Sequence, residues 1–282
     1  MAQSKQPEYI FKVKTKEAHV IKLLGELLSN TIHPKHAPFK VNEHGITLTQ
    51  ADQKEEQLID IRLSKENFQF YRCTKSLSFS VNSSLLFRML RSIKKKDSIT
   101  LFITEAEPLK LGFCVEQADE NPKTNTTICI TYNRPEEYVL PDNYDNPVIM
   151  TSKEFQKMKN LNSIAKTVKV TSKPGYIRFF CEGGDLLSRE LVCGDENEAP
   201  EAEPNIQNFS TNYITGLTKC AAASQNGNIY IFSSPTLPMK IKMRAGNLGD
   251  LTIFIKSIEM VEWEEDETAP ETTEQKSESE TE

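Results

Sequence analysis

Residues 76–103, SLSFSVNSSLLFRMLRSIKKKDSITLFI, contain the unit that decides the fold. Leu85, Leu86, Met89, Leu90 and Ile93 recur at the period of an amphipathic helix over Ser83–Ile93. Asn82 precedes it as N-cap, a position where a side-chain oxygen satisfies a free backbone N–H. A strand pair follows, SITLFITEAEPLKLGFCV, with its break at Glu107–Pro108. The unit is a helix followed by a hairpin.

That order recurs on both sides. Ala18–Ser29 places Val20, Ile21, Leu23, Leu24, Leu27 and Leu28 on one broad face, and FKVNEHGITLTQ then turns at His44–Gly45. Glu154–Leu161 carries Phe155, Met158 and Leu161, with Ser152 as its cap, before VKVTSKPGYIRFF turns at Pro174–Gly175. Thr211–Ala222 buries Tyr213, Ile214, Leu217, Cys220 and Ala221, and NIYIFSSPTLPMKIKM breaks at Pro235. Ala18 and Ser83 stand 65 residues apart and Glu154 and Thr211 57, while the two pairs are offset by 136 and 128. Such spacing describes two copies of a double unit, an α+β architecture of two similar domains. The domains fall at 1–132 and 147–260, joined by a connector, 133–146. The connector, NRPEEYVLPDNYDN, sets prolines, Asn–Asp pairs and acids around one apolar cluster, Tyr138, Val139 and Leu140. Those three either pack on the nearest sheet or offer a partner a docking point.

The 282 residues hold 34 Lys and Arg against 40 Asp and Glu, a net charge of −6. From Val261 onward ten acids face one base, Lys276, so 261–282 is expected to be an acidic, disordered tail. Residues 1–260 then carry 33 bases and 30 acids, a balance that leaves a polyanionic partner open. No apolar run reaches the ~18–20 residues that cross a bilayer, and the N-terminus lacks a secretory h-region. A soluble intracellular protein with no membrane contact is expected. Cys73, Cys114, Cys129, Cys181, Cys193 and Cys220 show no paired spacing, which predicts reduced thiols rather than zinc ligands.

Catalytic patterns are missing. There is no phosphate-binding glycine loop, no H-E-x-x-H and no G-x-S-x-G, and all four histidines precede residue 45 without metal spacing. No enzyme, metal or cofactor is expected. Charge placement remains: Lys22, Arg88, Arg91, Lys157, Lys159 and Lys219 each lie opposite a helix's apolar stripe. Arg88 and Arg91, three apart, share a face. A single such cation is usually just solvated. Four helices of one repeated fold doing the same favour a surface that holds a nucleic-acid backbone by charge without reading bases.

The segments GITLTQAD, LIDIRLSKENFQFYRC and the quoted 76–103 stretch, then LPDNYDNPVIMTSKEF and LPMKIKMRAGNLGDLTIFI, resemble the eukaryotic-type sliding clamp family, proliferating cell nuclear antigen. The likeness covers most of residues 9–260. It implies the DNA-clamp fold, with two similar domains per subunit and three subunits in a ring, helices inside and sheets outside. It implies a non-enzymatic DNA polymerase processivity factor that encircles double-stranded DNA in the nucleus or at a viral replication site. A clamp loader, DNA polymerase and other replication and repair proteins with short clamp-binding peptides are the implied partners. The six cations become the inner face. Thr126, Ile128 and Ile130 on Thr126–Tyr132, with Leu187, Arg189 and Leu191 on Leu186–Cys193, become the subunit joint of a homotrimer. Neither strand holds a proline that would forbid edge pairing. A partner pocket is implied at Tyr138, Val139, Leu140, Pro238 and Phe254, with Ala51 and Glu56 at the rim. Ala51 is small and Glu56 charged where the family favours apolar side chains. Lys173 stands where the family has a lysine modified by ubiquitin-like proteins, beside a departure at Pro174. Two alternatives stay open, a subunit of a heterotrimeric checkpoint clamp and a nucleic-acid-binding or interaction scaffold without a ring.

Overall fold

Each amphipathic segment leaves a strand and turns into a helix. In the computed structural model, which describes residues 8–32, 35–117, 123–134, 136–196, 203–224 and 227–268, the order runs as follows. The first half comprises β1 (Tyr9–Thr15), α1 (Ala18–Thr31), β2 (His36–Asn42), β3 (Gly45–Ala51), β4 (Gln57–Ser64), β5 (Phe70–Cys73), β6 (Leu77–Asn82), α2 (Ser83–Leu90), β7 (Ser98–Thr104), β8 (Lys110–Glu116) and β9 (Lys123–Tyr132). The second comprises β10 (Val148–Thr151), α3 (Ser152–Phe155), β11 (Thr167–Lys173), β12 (Tyr176–Glu182), β13 (Ser188–Cys193), β14 (Asn205–Ser210), α4 (Thr211–Ala223), β15 (Asn228–Phe232), β16 (Met239–Ala245) and β17 (Gly249–Ile255). A last helix, α5 (Ile258–Thr268), follows. Helix then hairpin occurs four times, as the spacing predicts.

The repeat is visible in individual bonds. Ser83, Ser152 and Thr211 open three of the helices as buried small hydroxyl residues. Their N–H groups donate to the carbonyls of Lys35, Gly227 and Lys166 at 2.9, 3.1 and 2.9 Å. Asn82 caps α2 as expected, its Oδ1 accepting from Leu85 N at 2.9 Å.

The strands pair antiparallel. Thirteen form one sheet in the order β10–β15–β16–β17–β4–β3–β2–β6–β9–β8–β7–β1–β5, and four form another, β13–β12–β11–β14. The long sheet joins the two halves where β17 pairs with β4, from Gly249 opposite Leu63 to Ile255 opposite Gln57. Alternate residues there, such as Ile59, Ile61, Leu251 and Ile253, enter the core shared with the helices. α1 packs beside α2 and α4, and α4 beside α3 and the 3-10 turns at Gln156–Ser163. The helices therefore stand in the row α2–α1–α4–α3. Gly25 permits the close approach of α1 and α2, because a Cβ there would sit 3.0 Å from Leu90 Cδ1.

Three local expectations change. The helix expected over Glu154–Leu161 is α-helical only to Phe155 and continues as 3-10 turns. Phe155, Met158 and Leu161 are spaced by three, the period at which 3-10 side chains stack. Its cap is Thr151, not Ser152; Thr151 and Glu154 form a reciprocal capping box. The segment from Val261, expected to lack order, begins in α5. Glu259 of this helix accepts from Asn208, and Lys256 pairs with Glu264 at 2.6 Å. Residues 269–282 lie outside the described residues.

Candidate nucleic-acid and partner interfaces

The exposed side of the helix row carries the expected cations unequally. Arg88, Arg91, Lys157 and Lys159 are exposed, and among the described residues no carboxylate forms an ion pair with any of them. Lys22 is half-buried and donates to the Ile93 carbonyl at 2.9 Å, bracing α1 against the end of α2. Lys219 is exposed but ion-paired to Glu26 of α1. Both bonds spend a cation on packing. Sequence reasoning passed over Lys94, Lys95 and Lys96, which follow α2 and are all exposed. Their signal was the run itself. Lys95 reaches a cleft of about 390 Å³ that it shares with Lys16, His19 and Arg244. Burial, and then the charges of Lys22 and Lys95, lower the His19 pKa, so this imidazole stays neutral near pH 7.

Further polar contacts tie α4 to the loop between β3 and β4 and to α1. The Tyr213 hydroxyl lies 3.0 Å from Asp52 Oδ2 and 2.9 Å from Glu56 Oε2, so one proton serves two carboxylates. Burial and those carboxylates push its pKa up. Cys220, facing the Leu23 carbonyl, is pushed by burial to about 12 and is a packing thiol. Glu56 is thus tied to Tyr213, with Lys54 at 3.6 Å.

On the opposite face of the sheet, strand register brings the pocket residues into line. Ala51 faces Leu58, Leu58 faces Phe254, Phe254 faces Lys240, and Lys240 faces Phe232. Residues opposed in an antiparallel pair share a face, so these five form one row across five strands. The connector runs over it. At one end Gln50 Nε2 donates to the Tyr138 hydroxyl at 3.2 Å, and that hydroxyl donates to Glu136. At the other, Tyr144 donates to the Pro238 carbonyl at 2.7 Å and packs edge-on against Phe232, centroids 5.8 Å apart. Leu140 is half-buried between them in sequence, whereas Val139 is 97% exposed. Ala51 and Phe254 are buried. Tyr144 and Lys240 join the row although sequence reasoning named neither, because only register and the connector's path unite them.

Among the described residues β9 and β13, one in each half, leave a stretch of edge open, as do the short terminal strands β5 and β10 of the long sheet. β9 pairs with β8 up to Cys129 and with β6 only at Ile130–Tyr132, so its free stretch is Lys123–Cys129. The joint expected over Thr126–Tyr132 is shortened accordingly, since Ile130–Tyr132 already has a partner strand. Ile130 N donates to Leu109 O at 3.0 Å; by antiparallel alternation the N–H groups of Asn125, Thr127 and Cys129 point outward. Thr126 is half-buried, and Ile128 and Ile130 turn their side chains into the core. Among the described residues β13 pairs only with β12. Arg189 and Leu191 are half-buried, and Leu187, Val192 and the 96%-exposed Leu186 present an apolar fringe. The other edge of that small sheet is closed, because the Glu259 carboxylate of α5 accepts from Asn208 N at 3.1 Å. Lys173 pairs with Glu196 at 3.7 Å and keeps 19% of its side chain exposed.

The sequence is similar to known proteins. The family model described as proliferating cell nuclear antigen, N-terminal domain, matches residues 10–132. The "Probable DNA polymerase sliding clamp 1" of Paramecium bursaria Chlorella virus 1 is 22% identical over 258 residues, 88% of this chain and 97% of that protein. Proliferating cell nuclear antigen from Chaetomium thermophilum is 22% identical over 256 residues, 87% of this chain and 97% of its own. Proliferating cell nuclear antigen 2 of Plasmodium falciparum is 26% identical over 210 residues, covering 71% and 79%. With its doubled helix–hairpin units, its row of four helices and a likeness spread over most of its length, the chain is similar to the proliferating cell nuclear antigen family of sliding clamps.

Proposed function

We propose that the chain is a DNA polymerase processivity factor, a homotrimeric clamp that encircles duplex DNA in the nucleus or at a viral replication site. The observation that carries this reading is that β9, over Lys123–Cys129, and the six-residue β13 offer the longer open edges and lie on opposite halves. One edge of each kind per chain suits head-to-tail association, which closes into a ring when the rotation allows. The units 1–132 and 147–260 would then alternate around six positions, with the helix row inside and the connector on the rim. The inner cations would hold phosphates diffusely, which keeps the ring mobile because no base-specific contact has to break at each step. The role is one of tethering, without catalysis. Polymerase and other partners would dock short peptides on the connector face over Leu140 and Phe254, and a loader would open the ring. Lys173 could take a modifier only after leaving Glu196.

Native mass tests the assembly. Three copies of 32.0 kDa give about 96 kDa. Thr127→Pro removes an outward donor from β9 while sparing the inward bonds to β8, and a proline is tolerated on such an edge. That variant should keep its fold by circular dichroism and run as a monomer of 32.0 kDa. A wild-type chain that stays monomeric alone and trimerises only with other clamp subunits would favour the heterotrimeric checkpoint reading.

A further inference from the structure

Lys240 sits where the pocket row would otherwise be wholly apolar. Its Nζ lies 4.7 Å from the Phe232 ring centroid, 5.1 Å from Tyr144 and 6.0 Å from Phe254. Among the described residues no carboxylate forms an ion pair with it. Lys242, two residues along, takes Asp250 at 3.5 Å, and Arg244 shares that acid at 3.0 Å. Burial and then the Lys242 charge lower the Lys240 pKa, with the Asp142 charge acting the other way. Ring faces attract the ammonium but accept none of its three N–H groups in a full hydrogen bond. The half-buried cation is short of acceptors.

We propose that Lys240 makes the connector face select partner segments that carry a carboxylate beside their aromatic anchor, against segments with a neutral or basic side chain there. This rests on the reading of that face as the partner site. An apolar anchor alone would cover the half-buried Phe232 and strip water from the ammonium without replacing its acceptors, which is costly. A basic neighbour would add repulsion. A carboxylate laid over the gap beside Tyr144 would accept from Nζ, and the aromatic anchor would lie on Phe232, which Phe254 backs from beneath. Specificity would then arise from a penalty on the wrong partner as much as from attraction to the right one.

The test uses the full chain and two fluorescent peptides with the same two aromatic anchors, one bearing Glu and the other Gln beside the first anchor. A hydrogen bond to a charged group is worth about 1.5–3 kcal/mol, so the Glu peptide should bind the wild-type protein about tenfold tighter or more. In Lys240→Met the ratio should fall to about one, because the Glu peptide weakens and the Gln peptide strengthens; Lys240→Arg should retain the preference. The preference should also shrink as salt is raised. Equal binding of both peptides to the wild-type protein, or a tenfold ratio that survives Lys240→Met, would overturn the proposal while leaving the partner site intact. Failure of both peptides to bind, or binding unaffected by Phe254→Ala, would sink the partner-site reading and this inference with it.

Discussion

The two inner helices of the row, α1 and α4, and the two outer ones, α2 and α3 with its 3-10 turns, share a fold position but use their polar residues differently. At the centre Lys22 bonds a backbone carbonyl, Lys219 pairs with Glu26, and Tyr213 bridges to Asp52 and Glu56. The exposed stripe of α4 otherwise reads Asn212, Thr215, Gly216 and Ala222. At the flanks Arg88, Arg91, Lys157 and Lys159 have no carboxylate in ion-pair contact among the described residues, and Lys94–Lys96 extend the cationic end of α2. Through Lys219–Glu26 and Tyr213 with Asp52 and Glu56 the centre joins the two halves of the chain; the flanks are left to hold something else. A cation counted from sequence is therefore not yet a cation offered to DNA.

That division can be broken at several points. Arg88→Glu with Arg91→Glu should have the largest effect, because a trimer would place six carboxylates where six guanidinium groups stood. The variant should retain its native mass and its peptide binding yet lose most stimulation of processive synthesis on a long primed template. Full stimulation would move the DNA away from α2. Next comes Lys94→Ala with Lys95→Ala and Lys96→Ala. Each phosphate left without its cation lowers the salt slope of DNA affinity by about 0.9, so the triple variant should flatten it by up to about 3. An unchanged slope would mean that this loop does not meet phosphate.

The centre should answer in stability instead. Tyr213→Phe leaves Asp52 and Glu56 facing each other without a shared donor, at a cost of about 1–3 kcal/mol in denaturant unfolding. DNA affinity of the folded variant should not move. Lys219→Ala is expected to have the smallest effect on DNA binding, since Glu26 already neutralises the ammonium at its site. The pair is largely exposed on the lysine side, so the stability change should also stay below about 1 kcal/mol. A loss of DNA binding matching that of the arginine pair would erase the proposed distinction between centre and flank.

Much of the fold was legible because the helices repeat one period at one spacing. α1, α2 and α4 have apolar stripes long enough to separate a 3.6 period from alternation, and Asn82 marked its cap. The third helix was mistyped since three apolar residues at spacings of three fit both a short α-helix and 3-10 turns. The site was less legible. Lys219 and Glu26 are 193 residues apart in sequence, and their pairing depends on α1 meeting α4. Lys240 alternates with apolar residues on β16 just as a solvated strand lysine does. Only the strand register and the return of Tyr144 surround it with rings. The acidic C-terminus from Val261 reads as uniformly disordered by composition, whereas its first residues continue α5, where Glu264 pairs with Lys256.

Encirclement is a topological claim, so retention on DNA tests it more directly than affinity does. The protein should be loaded with a clamp loader and ATP onto a closed circular duplex, isolated on it at high salt, and followed as the circle is cut once. Long retention on the circle and rapid loss on linearisation are expected, with the arginine-pair variant leaving the circle no faster than its ring opens. Equal retention on circular and linear DNA, or salt-sensitive loss from the intact circle, would show a protein bound by charge at the surface of DNA rather than linked around it.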